Sequence, residues 1–510
     1  MGLTTNGDLS PGPRREYTIH LSSIDHCMPR AYIRVCLAFR LPHPHALKPA
    51  LAGLERFLRG VIRNAPYLAG YVDPAPSGDG AVGRVQILFS PGDVDDFPTL
   101  QVRPFSPDER SWTYDELDEA GLPPSVIRPE LVSALPENTD DGRAPAFRVQ
   151  ANVVEGGLIV SIYLHHCVSD GTGLGLLVSG GLGHPTHPPD AVDCHHRSGP
   201  SDNPVANGGP PDGHLGATAA GESLLRTRLC DSAGFDATRH LKHRDPTVPR
   251  RGSISAPIKP GRGCVFALSL PKLDCLKSLL QTFIPEPPAP AMPVNGEAGL
   301  EPEHGYMTDH DVLHALLWHH CARARIPSLS PANRTASASL LIPVNIRARV
   351  EPHLPETYFG SAVDFARATQ PLPRLAQGTP ANLAALALAV RRAVSAVQDP
   401  YVRSAISISN TPGLDVRDLL AANMDRVSGA DMYITSWLHL PLYTRGDLGM
   451  GLGMPDWVRK PWSRDPGACI ILPQDPRKQT VEIVVQLADP DMARLLKDAD
   501  FMEFVERVIE

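Results

Sequence analysis

The chain has 510 residues, 42% of them hydrophobic, and a formal net charge of −8 at pH 7. These values are typical of a globular protein, and a length well above roughly 150 residues predicts more than one domain. The acidic balance argues against a nucleic-acid partner, and no apolar run approaches the ~20 residues that span a membrane. The nine cysteines are odd in number and widely spaced, which favours reduced thiols and a cytoplasmic protein.

The first part of the chain alternates strand and helix patterns. Residues 1–15 are polar with Gly and Pro, which predicts a disordered tail. Residues 31–39 form an apolar run typical of a buried strand, and apolar residues at spacings of three and four between Leu47 and Ile62 predict a helix. We therefore expect residues 16–180 to form an N-terminal domain.

The composition changes after residue 180. From 181 to 260 polar residues, Gly and Pro dominate, which predicts a long crossover between domains. Residues 261–510 return to strand and helix patterns, with a strand expected over 358–365 and a helix over 489–508. The expected fold is mixed α/β, with two similar-sized domains that each contain a central mixed sheet.

The main chemical signal follows a predicted hairpin of residues 147–154 and 158–164. Its second strand ends at His165 and His166, where the motif His166-Cys167-Val168-Ser169-Asp170-Gly171 begins. Imidazole has an unperturbed pKa near 6.5, which suits proton abstraction at neutral pH. The motif alone also fits a histidine that is simply hydrogen-bonded at a strand end.

Further motifs occur downstream in a fixed order. They are Thr308-Asp309-His310-Asp311, Pro343-Val344-Asn345-Ile346-Arg347, Tyr358-Phe359-Gly360, Thr435-Ser436-Trp437 and Asp447-Leu448-Gly449-Met450-Gly451. With the histidine motif, this ordered set resembles the BAHD acyltransferase family from about Ser22 to Gly451. The opening Ser22-Ser23-Ile24-Asp25 and the His-rich crossover are similar to its fungal branch, which includes trichothecene O-acetyltransferase-like enzymes.

The resemblance implies two similar domains with an active site in a channel between them. Acyl-CoA would enter as co-substrate from one face and a small-molecule hydroxyl acceptor from the other. His166 would take the acceptor proton as the oxygen attacks the thioester, without an acyl-enzyme, so Cys167 is not expected to be a nucleophile. The expected reaction is O-acylation, first of all acetylation, of a fungal secondary metabolite by a monomer without a permanently bound cofactor.

The resemblance also implies roles for other residues near the motif. Asp170 would shape the loop, together with Gly171, rather than polarise His166. Trp437 and Thr435 would line the reaction chamber, where an indole N–H or a hydroxyl could stabilise the developing oxyanion. From the sequence pattern alone, these two residues also fit a half-buried strand.

The Asp447 box corresponds to a structural motif of the family. Asp447 would pair with an arginine, taken here as Arg347, and loss of one partner of such a buried pair costs roughly 3–5 kcal/mol. Gly449 and Gly451 are retained in the box, whereas Leu448 and Met450 replace the Phe and Trp of the plant consensus. These two replacements concern the CoA channel near the box and not the base.

Several alternatives stay open from the sequence. His165-His166 also fits the HHxxxDG pattern of condensation domains, which use carrier-protein thioesters. An amine could replace the hydroxyl acceptor, and the scaffold could serve a non-catalytic binding protein. The His195-His196 and His319-His320 pairs lie beside cysteines but lack zinc spacing, so we expect no metal site.

Overall fold

The computed structural model describes most of the chain outside its first residues and the long crossover. The described residues are 17–76, 82–96, 99–105, 112–133, 135–136, 139, 142–183, 261–284, 306–418, 429–461 and 466–510. The expected tail at 1–15 and nearly all of the expected crossover at 181–260 lie outside these residues.

The described strands and helices alternate along the chain without a strict βαβ rhythm. The strands are β1 Tyr17–His20, β2 Tyr32–Arg40, β3 Tyr71–Pro74, β4 Val85–Phe89, β5 Leu100–Pro104, β6 Ala144–Pro145, β7 Phe147–Val154, β8 Gly157–His165, β9 Gly261–Ser269, β10 Ser337–Asn345, β11 Val363–Pro371, β12 Met432–Ser436, β13 Trp457–Arg459, β14 Ala468–Ile471, β15 Thr480–Ala488 and β16 Val505–Ile509. The α-helices are α1 Ser23–Cys27, α2 Leu47–Asn64, α3 Pro91–Asp96, α4 Tyr114–Ala120, α5 Pro129–Val132, α6 Gly171–Val178, α7 Leu270–Gln281, α8 Asp309–Arg325, α9 Leu372–Leu375, α10 Pro380–Ser395, α11 Asp399–Ser409, α12 Leu442–Arg445, α13 Asp489–Leu495 and α14 Ala499–Met502.

The N-terminal part is built on a five-stranded mixed sheet in the order β13-β2-β8-β7-β5. All nine residues of β8 are buried, as an apolar central strand covered on both faces should be. The predicted hairpin is confirmed, since β7 and β8 pair antiparallel from Phe147 opposite Leu164 to Val154 opposite Gly157. A smaller sheet in the order β1-β4-β3-β6 packs beside it.

The C-terminal part is built on a seven-stranded mixed sheet in the order β11-β10-β12-β14-β15-β9-β16. The sheet is mixed because β12 pairs parallel with both β10 and β14, whereas the other neighbours pair antiparallel. The expected α/β class, with a mixed sheet in each of two domains, is confirmed. Strand β13, however, pairs antiparallel with β2, so the chain after residue 261 also supplies an edge strand to the N-terminal sheet.

One continuous apolar core joins the two parts of the chain. It contains Leu37 and Leu54 from the N-terminal part and Trp318 and Ile434 from the C-terminal part, all fully buried. Helix α8 crosses this core, and its start at Thr308 is a capping box with Asp311. In the described part of the chain no single helix is long and apolar enough to cross a membrane; α10 and α11, bent by 67°, meet that criterion only as a pair.

Two predicted elements are wrong. Residues 489–508 are not one helix, because α13 and α14 end before strand β16 begins. Strand β16 pairs with the edge of β9, so hydrogen bonds between strands satisfy the backbone N–H and C=O groups that a helix would satisfy internally. The predicted strand over 358–365 begins only at Val363, because side chains from elsewhere bind the backbone of the preceding 358–362 loop.

Candidate active site

The candidate base lies at the first residue after strand β8. His165 ends the strand opposite Tyr32, and the backbone N–H of His166 donates to the carbonyl of Ala31 at 2.9 Å. Side chains alternate between the two faces of a strand, so the neighbouring histidines point to opposite sides. The predicted placement of both histidines at the strand end is confirmed, and the geometry separates their roles.

The His166 ring is held in a partly buried site without a hydrogen-bond partner from another described residue. The residue is partly exposed, whereas its Nδ1 atom is buried and unpaired. Burial lowers the pKa of His166 below its usual value of 6.5, while a hydrogen bond with its own backbone and then the charge of Asp170 oppose this shift. The imidazole is therefore neutral at pH 7 and can accept a proton.

The two residues that flank His166 are bound locally. His165 Nδ1 accepts from the N–H of Cys167 at 3.1 Å, and His165 Nε2 contacts Thr139 Oγ1 at 3.1 Å. Burial lowers the pKa of His165 to about 3, which leaves it neutral. Burial also raises the pKa of Cys167 to about 11, so its sulfur stays a thiol beside the Arg30 guanidinium.

Asp170 organises the turn after His166. Its Oδ1 accepts from the N–H of Gly173 at 2.9 Å and so caps helix α6. Arg347 donates to both carboxylate oxygens, with Nη1–Oδ2 at 2.9 Å and Nη2–Oδ1 at 3.1 Å. Because Asp170 and Arg347 are both buried, this pair fixes the turn against the C-terminal part of the chain.

The expected pair of Asp447 with Arg347 is wrong. Asp447 instead accepts from the backbone N–H groups of Gly451, Leu452 and Gly453 at 3.0, 2.7 and 2.8 Å. The glycine-rich turn can aim three amides at one carboxylate because Gly449, Gly451 and Gly453 all adopt positive φ angles. The Asp447 carboxylate therefore binds the backbone of its own turn, and Arg347 forms its ion pair with Asp170.

The Asp447 turn also packs closely on the N-terminal part. Leu448 and Met450, which replace the aromatic residues of the plant consensus, are both buried. Gly53 in α2 lies so close to the carbonyl of Gly449 that a Cβ atom at position 53 would overlap it. The box thus serves packing between α2 and the C-terminal part.

Trp437 and Thr435 lie at the end of strand β12. Trp437 is buried, and its indole Nε1 lies 3.9 Å from the position that a Cβ atom would take at Gly171. The structure therefore brings Trp437 next to the start of α6 and the histidine motif. The Thr435 side chain is partly exposed and makes no hydrogen bond to another described residue.

The loop that contains the Tyr358-Phe359-Gly360 motif, for which the sequence predicted no particular role, also holds the histidine motif. In the 358–362 loop, the carbonyls of Tyr358 and Gly360 accept hydrogen bonds from Arg347. The Ser361 hydroxyl donates to the carbonyl of His166 at 3.0 Å. The N–H of Ser361 in turn donates to Asp25 Oδ1 at 2.8 Å. The Ser22-x-x-Asp25 spacing is a sequence signal for the capping box of α1, but it gives no information about the contact with Ser361.

The histidine-rich segments give no metal centre among the residues that the structure describes. His320 Nδ1 pairs with Asp498 Oδ2 at 2.8 Å, and His319 Nδ1 bonds the carbonyl of Leu375. His195 and His196 lie outside the described residues. The described cysteines are all free thiols.

Comparison with protein families matches both parts of the chain. Residues 31–179 match the model of the trichothecene 3-O-acetyltransferase-like N-terminal domain, and residues 296–502 match the Transferase family. The first match contains the His166 motif, and the second contains Arg347, Trp437 and Asp447.

Curated relatives align over nearly their whole length. O-acetyltransferase anaAT of Neosartorya fischeri is 26% identical over 95% of this chain and 96% of its own. Eremophilane O-acetyltransferase ORF8 of Penicillium roqueforti is 24% identical over 95% of this chain and 97% of its own.

Solved structures share the fold at lower identity. TRI101 of F. sporotrichioides, complexed with coenzyme A and T-2, has a TM-score of 0.72 and 18% identity over 97% of this chain and 100% of its own. TRI101 of F. graminearum, complexed with coenzyme A and deoxynivalenol, has a TM-score of 0.73 and 17% identity with the same coverage.

The family models and the curated relatives define the class of the protein, an acyltransferase. The chain belongs to the BAHD acyltransferase family, in the fungal branch with the trichothecene 3-O-acetyltransferase-like N-terminal domain. The family predicted from the ordered motifs is thereby confirmed.

Proposed function

We propose that this protein transfers an acyl group, first of all acetyl, from CoA to a hydroxyl of a fungal secondary metabolite, with His166 as general base. The observation that carries the proposal is the His166 turn. A neutral, partly exposed imidazole stands at a strand end whose backbone is held by both parts of the chain.

The reaction balances without a covalent enzyme intermediate. His166 takes the proton from the acceptor hydroxyl while the acceptor oxygen forms a bond to the thioester carbonyl carbon. The tetrahedral intermediate then collapses, its C–S bond breaks, and CoA thiolate leaves and takes the proton back from the imidazolium. Cys167 takes no part, since a buried thiol with a raised pKa is a poor nucleophile.

The oxyanion of this intermediate needs hydrogen-bond donors. The Trp437 indole N–H lies beside the start of α6, and the Thr435 hydroxyl makes no hydrogen bond to another residue in the described part of the chain. We assign them to the oxyanion and to the lining of the reaction chamber. We assign a structural role in the turn after His166 to Asp170, Arg347 and Gly171. We assign a structural role in the glycine-rich box to Asp447, Gly449 and Gly451.

The substrate class follows from the relatives. Those reported above are named as O-acetyltransferases, one of them of an eremophilane, and the TRI101 structures hold coenzyme A together with a small-molecule toxin. We therefore propose acyl-CoA and a compact hydroxylated metabolite as the two substrates. We further propose a cytoplasmic monomer that works without nucleic acid, membrane, metal or bound cofactor, with domains at 16–180 and 261–510 apart from the shared strand β13.

Calorimetric titration with CoA, acetyl-CoA and longer acyl-CoAs tests the donor without knowledge of the acceptor. Micromolar binding that depends on acyl length supports the proposal and identifies the donor. Thiol release from the donor bound best, with a panel of hydroxylated terpenoids and matched amines, then separates O- from N-acylation. Absence of binding by any acyl-CoA would contradict the proposal and favour a carrier-protein donor or a non-catalytic scaffold.

A further inference from the structure

Two carboxylates from the N-terminal part bind consecutive backbone amides of the 358–362 loop. Asp25 Oδ1 accepts from the N–H of Ser361 at 2.8 Å, and Asp170 Oδ2 accepts from the N–H of Ala362 at 2.8 Å. Asp170 belongs to the histidine motif. Asp25 lies outside it, and no role follows for Asp25 from the reaction described above.

The Asp25 carboxylate is held in place by its own helix, independently of its contact with Ser361. Its Oδ2 accepts from the hydroxyl of Ser22 at 2.7 Å and from the N–H of Ser22 at 3.0 Å, as the second half of the capping box of α1. The residue is fully buried. A buried carboxylate with three donors has little freedom to move, so it sets the place of the Ser361 backbone.

Ser361 connects Asp25 to the proposed base through a hydrogen bond to the His166 backbone. Its hydroxyl donates to the carbonyl of His166 at 3.0 Å, while the N–H of His166 donates to Ala31. Both backbone polar groups of His166 are therefore bound, one of them by the C-terminal part of the chain. Ser361 is itself buried, so water does not compete for this contact.

Among the described residues, the only hydrogen-bond partner of the His166 ring is the backbone of His166 itself, so the placement of that backbone matters. Its buried Nδ1 finds no partner from another described residue, so no side chain orients the imidazole directly. The orientation of the ring must follow from its backbone and from packing. A displacement of about 1 Å at a reacting group can cost roughly a hundredfold in rate.

We infer that Asp25 and Ser361 are positioning residues for His166, with Asp25 holding the Ser361 backbone and Ser361 holding the carbonyl of His166. The inference rests on the proposed function of His166 as the base. It differs from the Asp170–Arg347 pair, since Ser361 binds the backbone carbonyl of His166 itself, whereas Arg347 binds the side chain of Asp170.

Ser361→Ala and a matched control test the inference. Ser409 is also buried, and its hydroxyl donates to the carbonyl of Ile406 at 2.7 Å, so Ser409→Ala removes a similar bond that does not involve His166, Ser361 or Asp25. Ser361→Ala is expected to lower kcat about 10- to 100-fold while the Kd for acetyl-CoA stays unchanged. Ser409→Ala is expected to change neither. Burial raises the pKa of Asp25 to about 7, so assays at pH 8 keep it ionised.

Asp25→Asn provides the second variant and decides the test if Ser361→Ala does not fold. It is expected to lower kcat in the same way, and the double variant is expected to be no slower than Ser361→Ala, because the two residues act in series. The rate at which diethylpyrocarbonate modifies His166, followed by mass spectrometry, gives a readout without substrate. Ser361→Ala should change this rate and Ser409→Ala should not.

The outcomes separate this inference from the proposed function. If the wild type turns over acyl-CoA but both variants keep its kcat and its rate of His166 modification, the positioning role is wrong and the proposed function stands. If the wild type transfers no acyl group, the proposed function is wrong. The modification rates then still decide whether Asp25 and Ser361 set the geometry of His166.

Discussion

Arg347 and Asp170 form a buried two-point ion pair 177 residues apart in sequence, with N–O distances of 2.9 and 3.1 Å. Asp170 also caps α6 and binds the N–H of Ala362, while Arg347 also binds the carbonyls of Tyr358 and Gly360. The pair therefore joins the catalytic turn to the 358–362 loop.

Arg347→Ala should lower the free energy of unfolding by roughly 3–5 kcal/mol, because it leaves the buried Asp170 carboxylate without its cation. Denaturation in urea measures this loss. Arg59→Ala is the control, since Arg59 and Glu55 form a half-exposed i,i+4 pair worth about 0.5 kcal/mol or less. A loss as small as that of the control would show that Arg347 does not stabilise the turn.

His166→Ala should lower kcat by about 10²- to 10⁴-fold, the usual contribution of a general base, while acetyl-CoA still binds. Steady-state kinetics and calorimetry measure the two effects. Cys167→Ala should keep most of the activity, because direct transfer needs no thiolate. Loss of turnover in Cys167→Ala with intact folding would instead indicate an acyl-enzyme.

The acid limb of kcat/KM should have its midpoint below pH 6.5. Burial lowers the pKa of His166, so the base becomes protonated and inactive only when the pH falls below that lowered value. At higher pH the ring stays neutral and the profile is flat until another group titrates. A pH–rate profile measures the midpoint, with residual activity checked after return to neutral pH. A midpoint above 7 that persists in Asp25→Asn, which removes the titration of Asp25 near pH 7, would rule out this protonation state for the base.

Trp437→Phe should lower kcat by about 10²- to 10³-fold, since it removes one oxyanion donor but keeps an aromatic ring. The matched control is Trp457→Phe. Trp457 lies on β13 and is equally buried, but its indole N–H donates to Asp118 Oδ1 at 2.7 Å. Steady-state kinetics at saturating acyl-CoA compare the two variants. Equal kcat values would assign Trp437 to packing alone.

Asp364→Asn should reduce the loss of stability between pH 5 and pH 8. Asp364 is buried, its Oδ2 has no partner among the described residues, and burial raises its pKa from 3.8 to about 7. A raised carboxyl pKa contributes stability that is present below pH ~4 and is lost as the pH rises through 7. Urea denaturation at both pH values should show a decrease about 2–3 kcal/mol smaller in the variant. Parallel decreases in both proteins would show that Asp364 does not titrate in this range.

Local patterns predicted the elements that carry the base. The apolar run of β8, the turn after Val154 and the histidine motif lie within 25 residues of each other (147–171). Their hydrogen bonds are formed between neighbours in sequence, so periodicity and turn residues suffice to predict them. The Thr308 cap was predictable for the same reason. The ordered motifs then gave the family, which the comparisons confirm.

The choice of partner for Arg347 was not predictable from such patterns. Asp170 and Asp447 are both motif carboxylates, and the sequence does not tell which of them the guanidinium reaches. The structure decides for Asp170, because the glycine-rich turn supplies Asp447 with three backbone donors of its own. In the same way, residues 505–509 form a strand and not the end of a helix because they pair with the edge of β9.

The sequence by itself determined the fold class, the family and the position of His166 at a strand end, because these follow from local hydrophobic patterns and from motifs in order. Only the tertiary structure decided what holds His166 in place. The contacts of Asp25 with Ser361 and of Asp170 with Arg347 join residues 336 and 177 positions apart. Buried donors and acceptors pair with whatever the packed chain brings within reach, and that choice exists only after the two sheets share one core.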